Sequence, residues 1–311
     1  MVEVPMDILK LFPARKSKKQ KAAFREAVIP YFSSCGYDVT VEKGKMGAEN
    51  IIIGNPETAK FLVTAHYDTP AALPFPNLIT PCNFLPFLGY QAVITVIIFL
   101  MAMVPGILLV LMGAGAEFVS LSWLICLYAL LFLMLFGPAN KSNANDNTSG
   151  VVAVMEIAKS MPENARKDVC FVLFDLEEAG LVGSASYRKM HKQHSDRQLV
   201  LNMDCVGDGN EIMLFPTKKL KADTGKMEGL RGITGTWGEK SIAIREKGFA
   251  YYPSDQKHFP YGVGIAAFRR SKWAGLYCSR IHTKKDTILE ETNVNILRAA
   301  IISMITCGAV K

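Results

Sequence analysis

Between Cys82 and Pro138 the only charged residue is Glu117. Phe84 to Met112 carries no charge, and neither does Phe118 to Phe136. As helices rising about 1.5 Å per residue, the second stretch just reaches the roughly 30 Å of bilayer hydrocarbon, and the first exceeds it and has room to tilt. Gly113-Ala-Gly-Ala-Glu117 makes a short turn between them. Pro105-Gly106 would break a soluble helix but is tolerated in a membrane one. Both stretches exceed the usual length of a buried helix. The sequence therefore predicts a two-helix transmembrane hairpin over residues 82–137, in contact with lipid through residues 84–136. The bland alternative is a pair of buried core helices or a hydrophobic lid.

The rest of the 311 residues, 1–81 and 138–311, suffices for one large α/β domain that the hairpin interrupts. The net charge is +7, or +8 on everything outside the insert once Glu117 is set aside. A basic body beside an apolar segment suits an anionic membrane surface. No aromatic-basic interleaving or nucleic-acid motif accompanies the charge, so no nucleic-acid partner is expected. The seven cysteines form no CxxC pair and read as free thiols of a reducing compartment. The first residues lack the basic and apolar regions of a signal peptide. A two-pass hairpin returns the chain to the side it left, which places the body in the cytoplasm. The oligomeric state stays open.

Short apolar runs punctuated by Gly, Pro and Asn give strand candidates at 37–42, 50–53, 60–65, 169–174, 198–204, 211–215 and 263–268. Helices are expected over Arg15–Cys35, Val151–Ser160, Ser184–His194 and Glu291–Cys307. The basic residues of the first, Arg15 to Lys21, read as a solvated face, as do His191 and His194 at the end of the third. Residues 218–247 carry no recognisable motif. The run Val169–Phe174 ends abruptly in Asp175, Glu177 and Glu178. Paired glutamates are favoured in a first helical turn, but here they stand at the carboxyl end of a buried strand, where α/β sheets place ligands. Their repulsion calls for a compensating cation, and a divalent metal is the strongest candidate. The 60–65 strand leads into His66 and Asp68, which share a face in extended backbone, the geometry of an imidazole ligand with an outer carboxylate. Asp146 precedes a helix whose other residues, Asn-Thr-Ser, can cap it. Asp204 closes another strand, and His282 lies in a loop.

Strand ends or their loops thus deliver His66, Asp146, Glu177-Glu178, Asp204 and His282. Imidazole and carboxylate without thiolate suit catalytic zinc with an open position for water. Two His and three carboxylates suffice for two metals sharing one carboxylate, which leaves one of Glu177 and Glu178 free as a base. A water bridging two such metals becomes a nucleophile near neutral pH.

The blocks AHYD at 65–68, NDNTSG at 145–150, LEEAGLVGS at 176–184, NMDCVG at 202–207, SDQ at 254–256 and HTKKDT at 282–287 stand in order. In this the chain resembles the M28 family of dinuclear zinc exopeptidases, mostly aminopeptidases. The resemblance implies a three-layer α/β/α zinc-exopeptidase fold with a central mixed sheet, interrupted here by the hairpin. It implies two Zn²⁺, with His66 and Asp204 as terminal ligands of one, Glu178 and His282 of the other, and Asp146 as the bridge. It also implies Glu177 as general base and Asp68 as the outer partner of His66. The departure is the interval of 80 positions from His66 to Asp146, where the family has a short loop.

The expected function is that of a membrane-anchored aminopeptidase cleaving N-terminal residues from peptides. The alternatives are a zinc carboxypeptidase or amide deacylase with the same site, for which Arg269, Arg270 and Lys272 could hold a carboxylate, and a non-catalytic membrane scaffold. A glutaminyl-cyclase-like activity ranks lower, because five ligands serve two metals.

Overall fold

The computed structural model describes residues 2–307. Ten strands form one mixed sheet: β1 (Val39–Lys43), β2 (Glu49–Ile53), β3 (Phe61–His66), β4 (Val169–Phe174), β5 (Leu199–Met203), β6 (Glu211–Pro216), β7 (Gly235–Trp237), β8 (Lys240–Ile244), β9 (Gly262–Ser271) and β10 (Gly275–Tyr277). Their order is β1-β2-β4-β3-β5-β9-β6-β8-β7, with β10 paired to β9. The central strands β4, β3, β5 and β9 run parallel to one another, so their carboxyl ends share one edge. Antiparallel pairs flank them on both sides.

Alternation along the strands sorts the side chains into two cores. Ile51, Val63, Phe171 and Leu201 face a large cluster built with the helices Lys18–Ser34, Gly150–Ser160 and Glu291–Thr306. Their neighbours Ile52, Leu62, Val172 and Val200 face a smaller cluster with Tyr187 of the helix Val182–Met190 and with Phe259. The result is three layers, helix on sheet on helix.

Strands β7, β8 and β10 lie where no strand was expected. The turn Gly238-Glu239 between β7 and β8, with Gly238 at φ +60°, joins a two-residue hairpin that extends the sheet beyond β6. The first long helix begins at Lys18, with Ser17 and Gln20 forming a reciprocal cap. Arg15 and Lys21 are not solvated, contrary to the expectation from their charge. Arg15 is fully buried and donates to Tyr67 O, Phe12 O and Thr148 Oγ1. Burial pushes its pKa down to about 10, against the pull of Asp68 and Asp146. Lys21 Nζ sits 2.7 Å from Asp175 Oδ1, so it is this lysine that neutralises Asp175. His191 is likewise half-buried, with Nε2 2.7 Å from Glu42 Oε2 and its ring on Tyr187. The expected helix over Ser184–His194 is broken, ending at Met190 before a single turn Lys192–Ser195.

The insert forms two antiparallel helices, Phe84–Leu111 and Ala116–Phe136. A Cβ on Gly106 would meet Val119 Cγ1 at 3.3 Å, so the glycine sets how closely the two helices approach. The second helix has no buried residue, and the first has four: Pro86, Ile94, Ala102 and Gly106. These are not core helices of the body. Both are long and apolar enough to cross a membrane. The hairpin is rooted in the body at its two ends, which pair with each other: Ala72 N donates to Pro138 O and Asn140 N to Pro70 O.

Candidate metal centre

The parallel strands bring the charged residues to one edge. His66 ends β3, and the carboxyl end of β4 leads through Asp175 into Glu177 and Glu178. Asp204 follows β5, its N–H donating to Ile265 O of β9. Asp146 and His282 arrive on loops. Among the described residues, four of the five non-glycine residues with positive φ lie in these loops: Leu176 (56°), Leu181 (62°), Cys205 (58°) and His282 (64°). Such backbone persists only where its surroundings impose it.

Those surroundings are a set of buried polar side chains bonded to backbone. Asp68 accepts from the N–H groups of Glu177 (3.0 Å) and Glu178 (3.2 Å), which ties the loop after β3 to the loop after β4. Its carboxylate is 3.5 Å from His66 Nδ1, and its backbone carbonyl is nearer, at 3.2 Å. Asp68 therefore positions the two glutamates as directly as it positions the histidine. Asp286 accepts from Asn145 N (2.8 Å) and Asp146 N (3.0 Å). Burial pushes Asp286 up to about 7, and Asp146 adds to the shift. Asn147 Oδ1 accepts from Gly150 N and Cys205 N, so Asn147 caps the following helix and leaves Asp146 uncommitted. Gly150 has no room for a side chain: a Cβ there would meet Met203 O at 2.4 Å. Gly183 is confined in the same way, at 2.1 Å from Asp175 O. The Asp68–Glu177 and Asp286–Asp146 contacts span more than 100 residues of sequence and left no local signal in it.

The five ligand-type residues converge. His66 Nε2 is 3.4 Å from Asp146 Oδ1 and 3.6 Å from Asp204 Oδ1. His282 Nε2 is 3.1 Å from Asp146 Oδ2 and 3.6 Å from Glu178 Oε2. The two histidines thus face different oxygens of one carboxylate. Among the described residues, three groups could each hold a metal ion: His66 with Glu177 and Asp204, His66 with Asp146 and Glu178, and Asp146 with Asp204 and Cys205. Glu178 therefore reaches toward both histidines. Cys205 is free and buried, as expected, and it lies beside the carboxylates of Asp146 and Asp204; burial pushes its pKa well up.

The charge balance fits cations. Burial pushes Glu178 well above the usual carboxylate range, and Asp146 adds to the effect. Burial does the same to Glu177; His66 opposes this, while Glu178 and Asp204 reinforce it. Burial resists charging of His66, but Glu177 and the nearby carboxylates of Asp146, Asp204 and Asp68 outweigh it and raise its pKa well above normal. Glu178 Oε1, Asp204 Oδ1 and both carboxylate oxygens of Asp255 are buried without a hydrogen-bond donor. Among the described residues, no Lys or Arg pairs with His66's neighbours Asp146, Glu178 and Asp204. Buried oxygens without donors are costly unless a cation meets them. Arg269 and Arg270 do not approach: they pair with Asp208 and Glu211, outside the cavity that the cluster floors.

That cavity holds about 460 Å³. Asp146, Glu177, Glu178, Asp204 and His282 form its floor, while Phe84 and Phe87 of the hairpin, with Phe249 and Tyr251, form its walls. None of these aromatic residues stood out in the sequence.

A helix–sheet–helix sandwich with histidines and carboxylates gathered at its parallel strand ends defines a protein of the metallopeptidase type. The chain belongs to peptidase family M28, whose profile matches residues 133–304. That span includes Asp146, Glu177, Glu178, Asp204 and His282, while His66 and Asp68 precede it. No curated protein matches the sequence. Among solved structures, the fold is similar to a Porphyromonas gingivalis glutaminyl cyclase (TM-score 0.58, 15% identity, 97% of this chain and 95% of that one). It is similar to the Legionella pneumophila LapA aminopeptidase (0.57, 13%, 99% and 68%). It is also similar to a leucine aminopeptidase precursor from Bacteroides thetaiotaomicron (0.56, 15%, 97% and 94%).

Proposed function

We propose that the protein is a zinc-dependent aminopeptidase that hydrolyses the N-terminal amide bond of peptides, held at a membrane by its hairpin. The observation that carries this reading is the sharing of Asp146 between His66 and His282, one on each carboxylate oxygen. A carboxylate so placed suits a bridge between two zinc ions, with His66 and Asp204 completing one set and Glu178 and His282 the other. Bound there, the ions would supply Lewis acidity and lower the pKa of a water.

The chain's own residues do the rest. Glu177 is half-buried at the cavity floor and, among the described residues, has no Lys or Arg partner; with cations in place beside it, it could take a proton from the attacking water and return it to the leaving nitrogen. Asp68 fixes the backbone of that glutamate and, through its carbonyl, can accept from His66 Nδ1, which would leave Nε2 as the donor atom for an ion held with Asp146 and Asp204. The acid-rich floor and the absence of a free arginine among the described cavity-lining residues suit a substrate amine better than a substrate carboxylate, which favours the aminopeptidase over the carboxypeptidase reading.

On this reading residues 2–81 and 138–307 make up the catalytic body, and 82–137 a two-pass membrane module. Lys16 Nζ donates to Leu135 O at the hairpin's foot, and Lys141 follows just beyond it. Cations at that level favour a cytoplasmic body. The test is hydrolysis of leucyl-p-nitroanilide by the purified full-length protein with zinc and with chelator, together with metal analysis. Zinc-dependent release at two zincs per chain is expected. No release by zinc-loaded protein sinks the enzymatic reading.

A further inference from the structure

The metal cluster opens on a second cavity, of about 230 Å³, that shares Asn77, Gln91, Glu178 and His282 with the first. It leads away from the sheet between the segment Pro70–Pro76 and the foot of the hairpin. Its far wall consists of Tyr90 and Ile94 from the first apolar helix and Met134 and Leu135 from the second. Ile94 is nearly buried, whereas Leu135 is 59% exposed on the flank of the hairpin. The second cavity therefore joins the cluster to the apolar outer face of the hairpin helices.

The two cavities divide the catalytic floor unequally. Glu177 and Asp204 line the first and not the second, while Glu178 and His282 line both. In amide hydrolysis water adds to the carbonyl carbon, the C–N bond breaks, and the nitrogen leaves with the proton that the base carries. The leaving nitrogen must therefore face Glu177, on the side of the first cavity. The substituent on the carbonyl carbon points the other way, into the second.

We infer that the second cavity is the acyl-side subsite and that it takes a hydrocarbon chain reaching the cluster along the hairpin, so the substrate is an amphiphilic amide with a long apolar acyl group. This rests on the reading of the cluster as an amidase centre. The lining suits such a group: Tyr90, Ile94, Met134 and Leu135 stand at the far end, where the Lys16 ammonium is committed to Leu135 O, and that end opens toward the exposed apolar flank of the hairpin instead of closing after one residue. The chain belongs either to a simple fatty acyl group or to an α-amino acid with a long alkyl side chain. Both offer the same apolar chemistry to Ile94, Met134 and Leu135.

The experiment uses zinc-loaded full-length protein in detergent and two series of p-nitroanilides, n-acyl and α-amino-acyl, with matched chains of two to twelve carbons below their micellar concentrations. Burial of each methylene is worth about 0.8 kcal/mol, so kcat/KM is expected to rise about fourfold per added carbon until the cavity is filled, then level off. The series that rises identifies which acyl class the site serves. Ile94→Trp should flatten the rise, and Met134→Trp, on the other helix, does so independently should the first fail to fold. Cleavage of leucyl- and acetyl-anilide with no dependence on chain length in either series overturns the subsite alone. No cleavage of any anilide by zinc-loaded protein overturns instead the amidase reading beneath it.

Discussion

The two halves of the metal cluster are built in different ways. The His66 half belongs to the sheet: His66 closes β3, is 1% exposed, and is flanked by strands paired on both sides. The His282 half belongs to the loops. Its side chain is 19% exposed, and its backbone is held by Leu73 N, which donates to His282 O at 2.7 Å. Asn77 N to Ile281 O and the mutual Ile79–Cys278 bonds extend that strap toward the hairpin. One half is fixed by the fold of the body. The other is fixed by the segment that leads into the first apolar helix, so the hairpin is tied to the His282 half of the cluster and not to the His66 half.

The largest expected effect ignores this division. Glu177→Gln should lower turnover by roughly 10²–10⁴ and leave zinc content unchanged in both halves, because Glu177 serves the reaction and not the ions. Turnover equal to that of the parent protein would remove Glu177 from the chemistry. The division itself should appear when His66→Ala and His282→Ala are compared by titration with zinc. Each should lose one tight site, but only His66→Ala should also lower the melting temperature of the metal-free protein, since it leaves a hole in the sheet. Equal melting temperatures would mean that the halves are equally rigid.

Asp68→Asn should weaken zinc at the His66 half by about 10–100-fold, the usual cost of losing a ligand's outer partner. It should also loosen Glu177 and Glu178, so turnover should fall at saturating zinc as well. A loss of affinity without that loss of turnover would confine Asp68 to the histidine.

A change of pH should separate the metal-free from the loaded protein. The folded-state pKa of Glu178 lies above its ordinary 4.5, and that of His66 above its ordinary 6.5. Groups raised in this way contribute stability that is complete below the ordinary value and lost as pH rises through the raised one. Asp146 is lowered and has the opposite sign, so its contribution is lost only on acidification. The chelated protein should therefore melt at lower temperature as pH rises above about 6.5, and zinc should abolish that slope, since both ions compete with the same protons. A melting temperature of chelated protein that rises with pH would contradict the cation deficit inferred here.

The smallest effect should come from replacing Cys82–Gly137 with a short polar linker. Long insertions are tolerated when the elements around them pair without help, and Ala72–Pro138 and Asn140–Pro70 already close the gap. The product should need no detergent and should still bind two zincs, with any weakening confined to the His282 half. If the full-length protein needs no detergent either, the membrane reading fails.

The sequence made the strand ends legible because each is a short apolar run broken by a charge, a pattern that burial in a sheet imposes on any chain. That same contrast picked out His66, Glu177, Glu178 and Asp204, whereas Asp146 and His282, in polar loops, were singled out by the ordered blocks that carry the resemblance; all six side chains lie together in the structure. What stayed illegible was charge that is buried by a distant partner. Arg15 and Lys21 sit in a run of basic residues that looks solvated, and only the folded chain shows that Tyr67 O and Asp175 wait for them. The burial of Asp286 and Asp255 was hidden for the same reason: both stand in the ordered blocks, but in polar loops whose burial no local pattern announces. The strands β7 and β8 were missed despite a usable sign, the Trp237-Gly238-Glu239-Lys240 turn before an alternating Ser-Ile-Ala-Ile. The aromatic walls of the cavity could not be foreseen, because Phe84 and Phe249 meet only when the hairpin stands on the body.

The position of the hairpin within the order of the sheet has a consequence for synthesis. β3 lies between β4 and β5, its only partners, yet the chain makes the whole hairpin before either of them. About a hundred residues separate the end of β3 from the start of β4, which a ribosome adding 5–20 residues per second covers in roughly 5–20 s. For that time the most apolar strand of the first segment, with its histidine, has no neighbour to pair with, while the two long helices behind it are already complete. Translation thus completes the hairpin first and leaves the edge that bears His66 to be closed last, after both long helices have been made.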